Sequence, residues 1–339
     1  MLKRIIALTF ALLLVSNLAA FSADLLQLVP DSTSFVFSVN LEKILKTEVV
    51  KRQVEESMAK QSPDQKKIYD EFVQKTGLNP LDHLKQIVVF ASGQVDTKAG
   101  KPEAGVLING IFDVAKILGA IKSDEKAAKD VSIEKFEGFD CIKAKKESEG
   151  MAVFLDGTTG VVGSNLALKG VTDIKKGTGK NITTNAAFGG LLKKVDTAAS
   201  FWGVGLIPNS LKEKAKSNPQ SAPLAAVNAF FLSFNYETDL VFNFTGEIDK
   251  KENVEQVMTS LNGFLAMLKM VAGQTPEAAE ILNMIKVSQD ETSAKISLSV
   301  PKAKLDEAKK KMEERMKAAP QAVPQPAPQP GAEPKIEGK

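Results

Sequence analysis

One order of residue patterns occurs twice along this chain of 339 residues, and that recurrence limits its possible folds more than any other feature. In "LVFNFTGEID", residues 240–249, Phe242, Phe244, Gly246, Ile248 and Asp249 stand for Val106, Ile108, Gly110, Phe112 and Asp113 of "VLINGIFD", at a constant offset of 136. Alternate residues match, so the face of the strand is kept. The helical pattern that follows returns as well: Val114, Ile117, Leu118 and Ile121 reappear as Val254, Val257, Met258 and Leu261, at an offset of 140. Upstream, "SFWGVGL" at 200–206 stands for "SFVFSVN" at 34–40, and "AFFLSFNY" at 229–236 stands for "QIVVFASG" at 86–93. Repeats of this length are one domain copied and not a solenoid, because each carries enough apolar surface for a core of its own.

Written as elements, each unit reads strand, helix, strand, strand, helix, strand with an added strand or hairpin, the ferredoxin-like order with extra strands. The expectation is an α+β fold of two related units, with antiparallel sheets and helices on one face. The offset falls from 166 at the first strand to 136 at the third, which assigns a long helical insertion to the first copy. Residues 24–180 are then the first unit and 181–318 the second, between a signal peptide at 1–23 and a disordered Pro-rich tail at 319–339.

Local signals mark the corners. Ser62 followed by Pro63 restarts a helix, and Gly77 with Pro80 ends it. Glu137-Gly138 and Asp156-Gly157 are two-residue hairpin signals. Asp113 and Ser164 cap the helices that follow them. "KKGTGKNITT", 175–184, lacks the spacing of a phosphate-binding loop and reads as a flexible linker between the units. Pro301 opens a last helix with a thin apolar stripe of Leu305, Ala308 and Met312. From Pro320 onward, prolines separated by Gln and Ala favour extended polyproline II, as a spacer or docking segment if the tail has a role.

Lys3 and Arg4 precede an apolar run from Ile5 to Val15, and small residues follow in "SNLAAFSAD", the pattern of a cleaved secretory signal peptide. A periplasmic or extracellular location is therefore expected. The alternative is an uncleaved anchor, since Ile5 to Phe21 just reaches spanning length. No later apolar run does, so no integral membrane span is expected after cleavage. Removing Lys3 and Arg4 takes 44 basic residues to 42 against 41 acidic ones, which leaves no electrostatic footprint for nucleic acid. The sole cysteine, Cys141, has no partner within the chain and reads as a buried structural thiol.

Two phrases resemble a loose family of exported bacterial proteins classed as domains of unknown function. One is "VPDST", Val29 to Thr33, between the signal peptide and the first strand. The other is "TGLNPLDHLKQIVVFAS", Thr76 to Ser92, between the first long helical stretch and the second strand. The resemblance implies an extracytoplasmic location and a duplicated α+β fold, and it brings no catalytic residues.

The search for chemistry returns little. His83 is the one histidine, in a polar corner, and no nucleophile stands near it in sequence. "VVGSNLA" around Ser164 lacks the second glycine of a nucleophile elbow. One His and one Cys exclude the common zinc spacings, and "SQDETS" at 288–293 is a polar turn without the calcium-loop pattern. No catalytic, cofactor-binding or metal residue is assigned, and no cofactor is expected. A spatial pair of carboxylates is the one catalytic device that leaves no mark in spacing, which keeps a carboxylate-based hydrolase among the alternatives.

The helix after Asp249 has an unusually wide apolar arc. Met258, Leu261, Phe264, Leu265, Met267, Leu268 and Met270 are the candidate face for a hydrophobic ligand or partner, against the plainer possibility of a deeply buried helix. The functional expectation is an exported, non-enzymatic envelope protein that binds or scaffolds an envelope partner through the surfaces between the two copies. A periplasmic carrier or chaperone for lipid or hydrophobic segments is the alternative of a different class.

Overall fold

Alternation along "TSFVFSVN" puts Val36, Ser38 and Asn40 on one side of a strand and Phe35, Phe37 and Val39 on the other, with the even-numbered set buried. This strand, Thr33–Asn40 (β1), lies at the middle of the sheet. The computed structural model describes residues 25–96, 101–146, 150–218, 221–272 and 276–318. The expected signal peptide and the Pro-rich tail lie outside the described residues.

After β1 come helices Leu41–Leu45 (α1), Glu48–Ala59 (α2), Pro63–Thr76 (α3) and Pro80–His83 (α4), then strands Leu84–Asp96 (β2) and Lys101–Gly110 (β3). Helices Val114–Ser123 (α5) and Glu125–Asp130 (α6) lead to strands Val131–Phe136 (β4), Phe139–Ala144 (β5), Met151–Phe154 (β6) and Thr159–Gly163 (β7). Helices Asn165–Lys175 (α7) and Ala186–Leu192 (α8) precede strand Phe201–Leu206 (β8). Helix Asn209–Lys216 (α9), strands Val227–Tyr236 (β9) and Leu240–Ile248 (β10), and helices Val254–Ala272 (α10) and Pro276–Asn283 (α11) follow. Strands Lys286–Asp290 (β11) and Ser293–Val300 (β12) and helix Lys302–Ala318 (α12) complete the described chain. The described residues up to Pro301 form one compact unit; α12 belongs to a second, in which Lys311 pairs with Glu307 one turn away at 2.6 Å.

Among the described residues twelve strands join into one sheet, in the order β11-β12-β10-β9-β8-β1-β2-β3-β7-β6-β5-β4, with antiparallel neighbours throughout. The mixture of helix and antiparallel sheet is α+β, as expected. The ferredoxin-like order is not what forms. That order interleaves strands through helical crossovers, whereas β1, β2 and β3 here pair in succession, and so do β8, β9 and β10. The helices between β1 and β2 return the chain beside the strand it left, so the strand pairs antiparallel with its sequence neighbour.

Helices on one face is a second expectation that the structure corrects. Ser38, Val88, Leu107, Val161, Val153 and Cys141 lie opposite one another across five strand pairings, and therefore share one side of the sheet with Val36, two residues from Ser38. The apolar members of this set form one core with Trp202, Val204, Leu25, Val29, Ala167, Leu168 and Val171 of α7, and Phe188 of α8. On the other side, Val39, Ile87, Val89, Val106 and Ile108 pack with Leu41, Leu45, Leu78 and Phe112. Strands β2 and β3 are apolar on both sides, so both need cover. Burial of each large side chain stabilises by roughly 1.5–3 kcal/mol.

Most corners follow the sequence. Ser62 and Gln65 make a reciprocal capping box before α3, and Gly77 closes that helix at φ 71°. Glu137 and Gly138 both have positive φ, 52° and 92°, at the β4–β5 turn. Asp156-Gly157 differs: β6 ends at Phe154 and β7 starts at Thr159, so the connection is longer than two residues. Asp156 Oδ1 accepts from Thr158 N at 2.8 Å, a local side-chain turn that replaces the tight one. The expected flexible linker at 175–184 is also corrected. Ile182 is fully buried in the main core, its N–H donates to Val29 O at 2.8 Å, and Asp31 N donates to Lys180 O at 3.1 Å. The apolar side chain of Ile182 anchors the stretch to the segment before β1.

Candidate functional site

On the side of the sheet that carries Phe37, two regions are covered. Leu41 and Leu45 of α1, with Leu78 and Phe112, supply the packing over β2 and β3, and α10 sets Val254 and Val257 against Ile248 and Ala294 of β10 and β12. Between them, strand pairing brings Phe35 and Phe37 of β1, Phe201 of β8, Phe230, Leu232 and Phe234 of β9, and Phe242 and Phe244 of β10 onto the same side. All of these side chains are half-buried. The rings touch in series. Phe37 lies 6.0 Å from Phe35, from Phe201 and from Phe230, and Phe230 stacks on Phe244 at 6.3 Å.

Gly203 and Gly205 of β8 form the floor of this array. A Cβ on Gly203 would meet the ring of Phe37 at 2.3 Å, and one on Gly205 would meet the ring of Phe230 at 2.6 Å. The rings of the flanking strands lean into the space that the glycines leave. At one end, Lys43 pairs with Glu237 and donates to Ala198 O at 3.2 Å. On the opposite side, β1 and β8 carry Val36, Trp202 and Val204 of the main core, and polar residues appear further out, at Asn243, Thr245 and Glu247 of β10 and Lys295 and Ser297 of β12. With one side of β1 and β8 taken up by the core, a run of half-buried aromatic rings on the other side is the feature that stands out.

The seven residues expected to form a hydrophobic face divide along α10. Met258 and Leu261 are half-buried and pack on Val254 and Val257. Leu265 is half-buried, and Phe264, Met267, Leu268 and Met270 are exposed, Met270 by 74%. The possibility of a deeply buried helix is thereby overturned. Val254 and Val257 alone are buried, because the helix runs past the structure that covers its first turns.

The remaining candidates have structural roles. Asp113 Oδ1 accepts from Lys116 N at 2.9 Å, an N-cap, and a Cβ at the neighbouring Gly110 would meet His83 O at 2.6 Å. Ser164 caps α7 by accepting from Ala167 N. His83 Nδ1 accepts from Asn79 N at 3.1 Å, and Asn79 Oδ1 accepts from Tyr69 OH at 2.6 Å, so His83 packs a corner. Cys141 is fully buried in β5, and burial pushes its thiol up to about 11. Asp156 is held at about 2. Burial would raise it, but hydrogen bonds from Lys175 Nζ, at 2.6 Å, and from Thr158 prevail.

Among the described residues no cluster of His, Cys, Asp and Glu has metal-binding geometry, and the buried polar side chains include no carboxylate. No described helix is long and apolar enough to cross a membrane. Comparison of the chain with protein-family models, with curated proteins and with solved structures gives no match.

The phenylalanine face was not singled out from sequence. Its signal is present in "SFVFSVN", "SFWGVGL" and "LVFNFTG", where Phe recurs at alternate positions and two glycines stand in the middle strand. Alternating Phe reads equally well as ordinary core.

Proposed function

We propose that this protein is an exported, non-enzymatic binding or scaffolding module built from two copies of one unit, and that the phenylalanine face at the meeting of the copies is its working surface. The observation that carries the proposal is the continuous run of half-buried rings over β1, β8, β9 and β10, on one side of the sheet. Partly accessible aromatic side chains in contact with one another suit an interaction site, because they supply large contact area at low conformational cost.

Duplication is supported from two directions. Outward from the β1–β8 pair, the order β1-β2-β3-β7-β6 on one side matches β8-β9-β10-β12-β11 on the other, element for element. The offset of 166 that aligns the first strands makes Phe37 the equivalent of Gly203, since 203 − 37 = 166, and these two residues pair with each other. A position that meets its own equivalent sits on the local two-fold axis. Export is supported by the signal-peptide pattern and by the resemblance to exported proteins, both read from sequence.

The partner we propose is an envelope protein that presents an apolar surface. A photo-crosslinking residue at Phe37 or Phe244, compared with one at the adjacent but opposite-facing Asn243, tests this in the native envelope. A defined adduct from 37 and 244 and none from 243 supports it; the same profile from all three overturns it. The carrier alternative uses helix α10 instead, and its exposed methionines Met267 and Met270 favour it, since thioether side chains adapt to varied apolar ligands. Lipid extracted in stoichiometric amount from the purified protein would select the carrier.

A further inference from the structure

The end of α10 lies apart from that face and has its own logic. From Val254 the helix sets apolar residues at 254, 257, 261, 264, 268 and 271, in alternating steps of three and four that repeat every seven residues. That is the seam spacing of paired helices, in which side chains of one helix enter holes of another. The first half of the seam is filled from within the molecule, by Ile248 and Ala294 against Val254, Val257 and Leu261. The second half is open: Phe264 is 56% exposed, Leu268 36% and Val271 64%, with Met267 and Met270 beside them. Helix α11 packs along α10 and leaves these residues uncovered.

Composition points the same way. Between Val254 and Ala272 the charged residues are Glu255 and Lys269, so no charge interrupts the open half before Lys269. A helix end meant for water normally carries charge there. The three-and-four spacing is that of a helix with one apolar face; its filled half meets strands β10 and β12, and its open half is left exposed.

We infer that the open half-seam pairs with the same half-seam of a second copy of this chain, around a two-fold axis. The surface is self-complementary in charge because its centre has none. The five open side chains expose roughly 500 Å² together, so two copies could bury at most roughly 1,000 Å² between them, the lower edge of the area that a specific interface requires. The dimer sets two phenylalanine faces in one particle and so gives a scaffold two equivalent docking surfaces.

Sedimentation velocity of the purified exported protein, alone and as the Phe264→Lys/Leu268→Lys variant, tests the inference. The unaltered protein is expected at twice the chain mass, and the variant at the monomer mass, with self-association weakened by about 100-fold or more. Both substitutions are at exposed positions, and an unchanged circular dichroism spectrum checks that the fold is kept. Because Cys141 is buried, Leu268→Cys supplies one accessible thiol, and mild oxidation is expected to link two chains through it. A monomeric parent, a variant that stays dimeric, or a monomer that floats with phosphatidylglycerol vesicles through this helix would each overturn the second copy as occupant. Adducts from position 37 report on the phenylalanine face separately, so either idea can fail while the other stands.

Discussion

Phe37 and Gly203 face each other across β1 and β8, and the ring of Phe37 occupies the space where a side chain on residue 203 would begin. The ring also contacts Phe201 and Phe230, so it cannot move away without opening the array. Alanine is ordinarily favoured over glycine in a strand by roughly 0.5–1 kcal/mol. Here the contact at 2.3 Å reverses the sign. Gly203→Ala is expected to destabilise by about 1–3 kcal/mol in urea unfolding. With Phe37→Ala already present the same change should cost less than half as much, because the obstacle is gone. Equal costs in both backgrounds would mean that the ring is not what forbids a side chain there.

The corners of the fold were legible because each is decided within a few residues. Asp113 reads as a cap because a carboxylate three residues before a free amide suffices, and Ser62 with Gln65 likewise needs no distant partner. Asp156-Gly157 misled because Thr158 offers Asp156 a competing local bond, and Leu155 turns inward to burial. The sides of the sheet were not legible. In β1 the apolar residues Phe35, Val36, Phe37 and Val39 fall on both sides of the strand, and alternation alone does not say that α7 and α8 cover Val36 while Phe37 stays half-buried. The breadth of apolar arc on α10 likewise measured the helix and not what covers it. Its buried half and its open half have the same periodicity.

Cys141 makes a prediction in the alkaline range. Its thiol is pushed from 9.0 up to about 11 by burial, with Glu134 adding to the effect. The folded protein therefore holds the thiol proton after the unfolded chain has released it, and stability falls as pH rises from about 9 towards 11. The wild type should lose stability in that window relative to Cys141→Ala, as measured by denaturant midpoints. At neutral pH a disulfide-exchange reagent should find no reactive thiol until the protein unfolds. Rapid labelling in the folded state would contradict the burial.

Asp156 gives the opposite sign at low pH. Its carboxyl is held at about 2, below the ordinary 3.8, by Lys175 and Thr158. The stabilisation is fully present above about pH 4 and is lost as pH falls through 2, where the folded state must also take up the proton. The Lys175 ion pair is more than a third exposed, so solvent screening limits its worth to at most about 1 kcal/mol. Asp156→Asn should lower the melting temperature at pH 7 by a few degrees or less, with the two curves converging near pH 2. A difference that persists there would assign the effect to packing of the β6–β7 turn.

The two halves of the α10 seam should respond differently to the same kind of change. Val257 is 2% exposed and packed with Ile248, Val254 and Ala294, so Val257→Ala removes contacts that nothing replaces. A loss of about 1–3 kcal/mol is expected, whatever the protein concentration. Val271 is 64% exposed within one molecule, so in a monomer Val271→Ala should lie within about 0.5 kcal/mol of neutral. If the open half meets a second copy, Val271→Ala instead costs stability that grows with protein concentration, because a dimer couples unfolding to dissociation. Melting both variants over a hundredfold range of concentration separates the cases: a concentration-dependent penalty at 271 together with a constant one at 257 is the pattern that a shared seam requires.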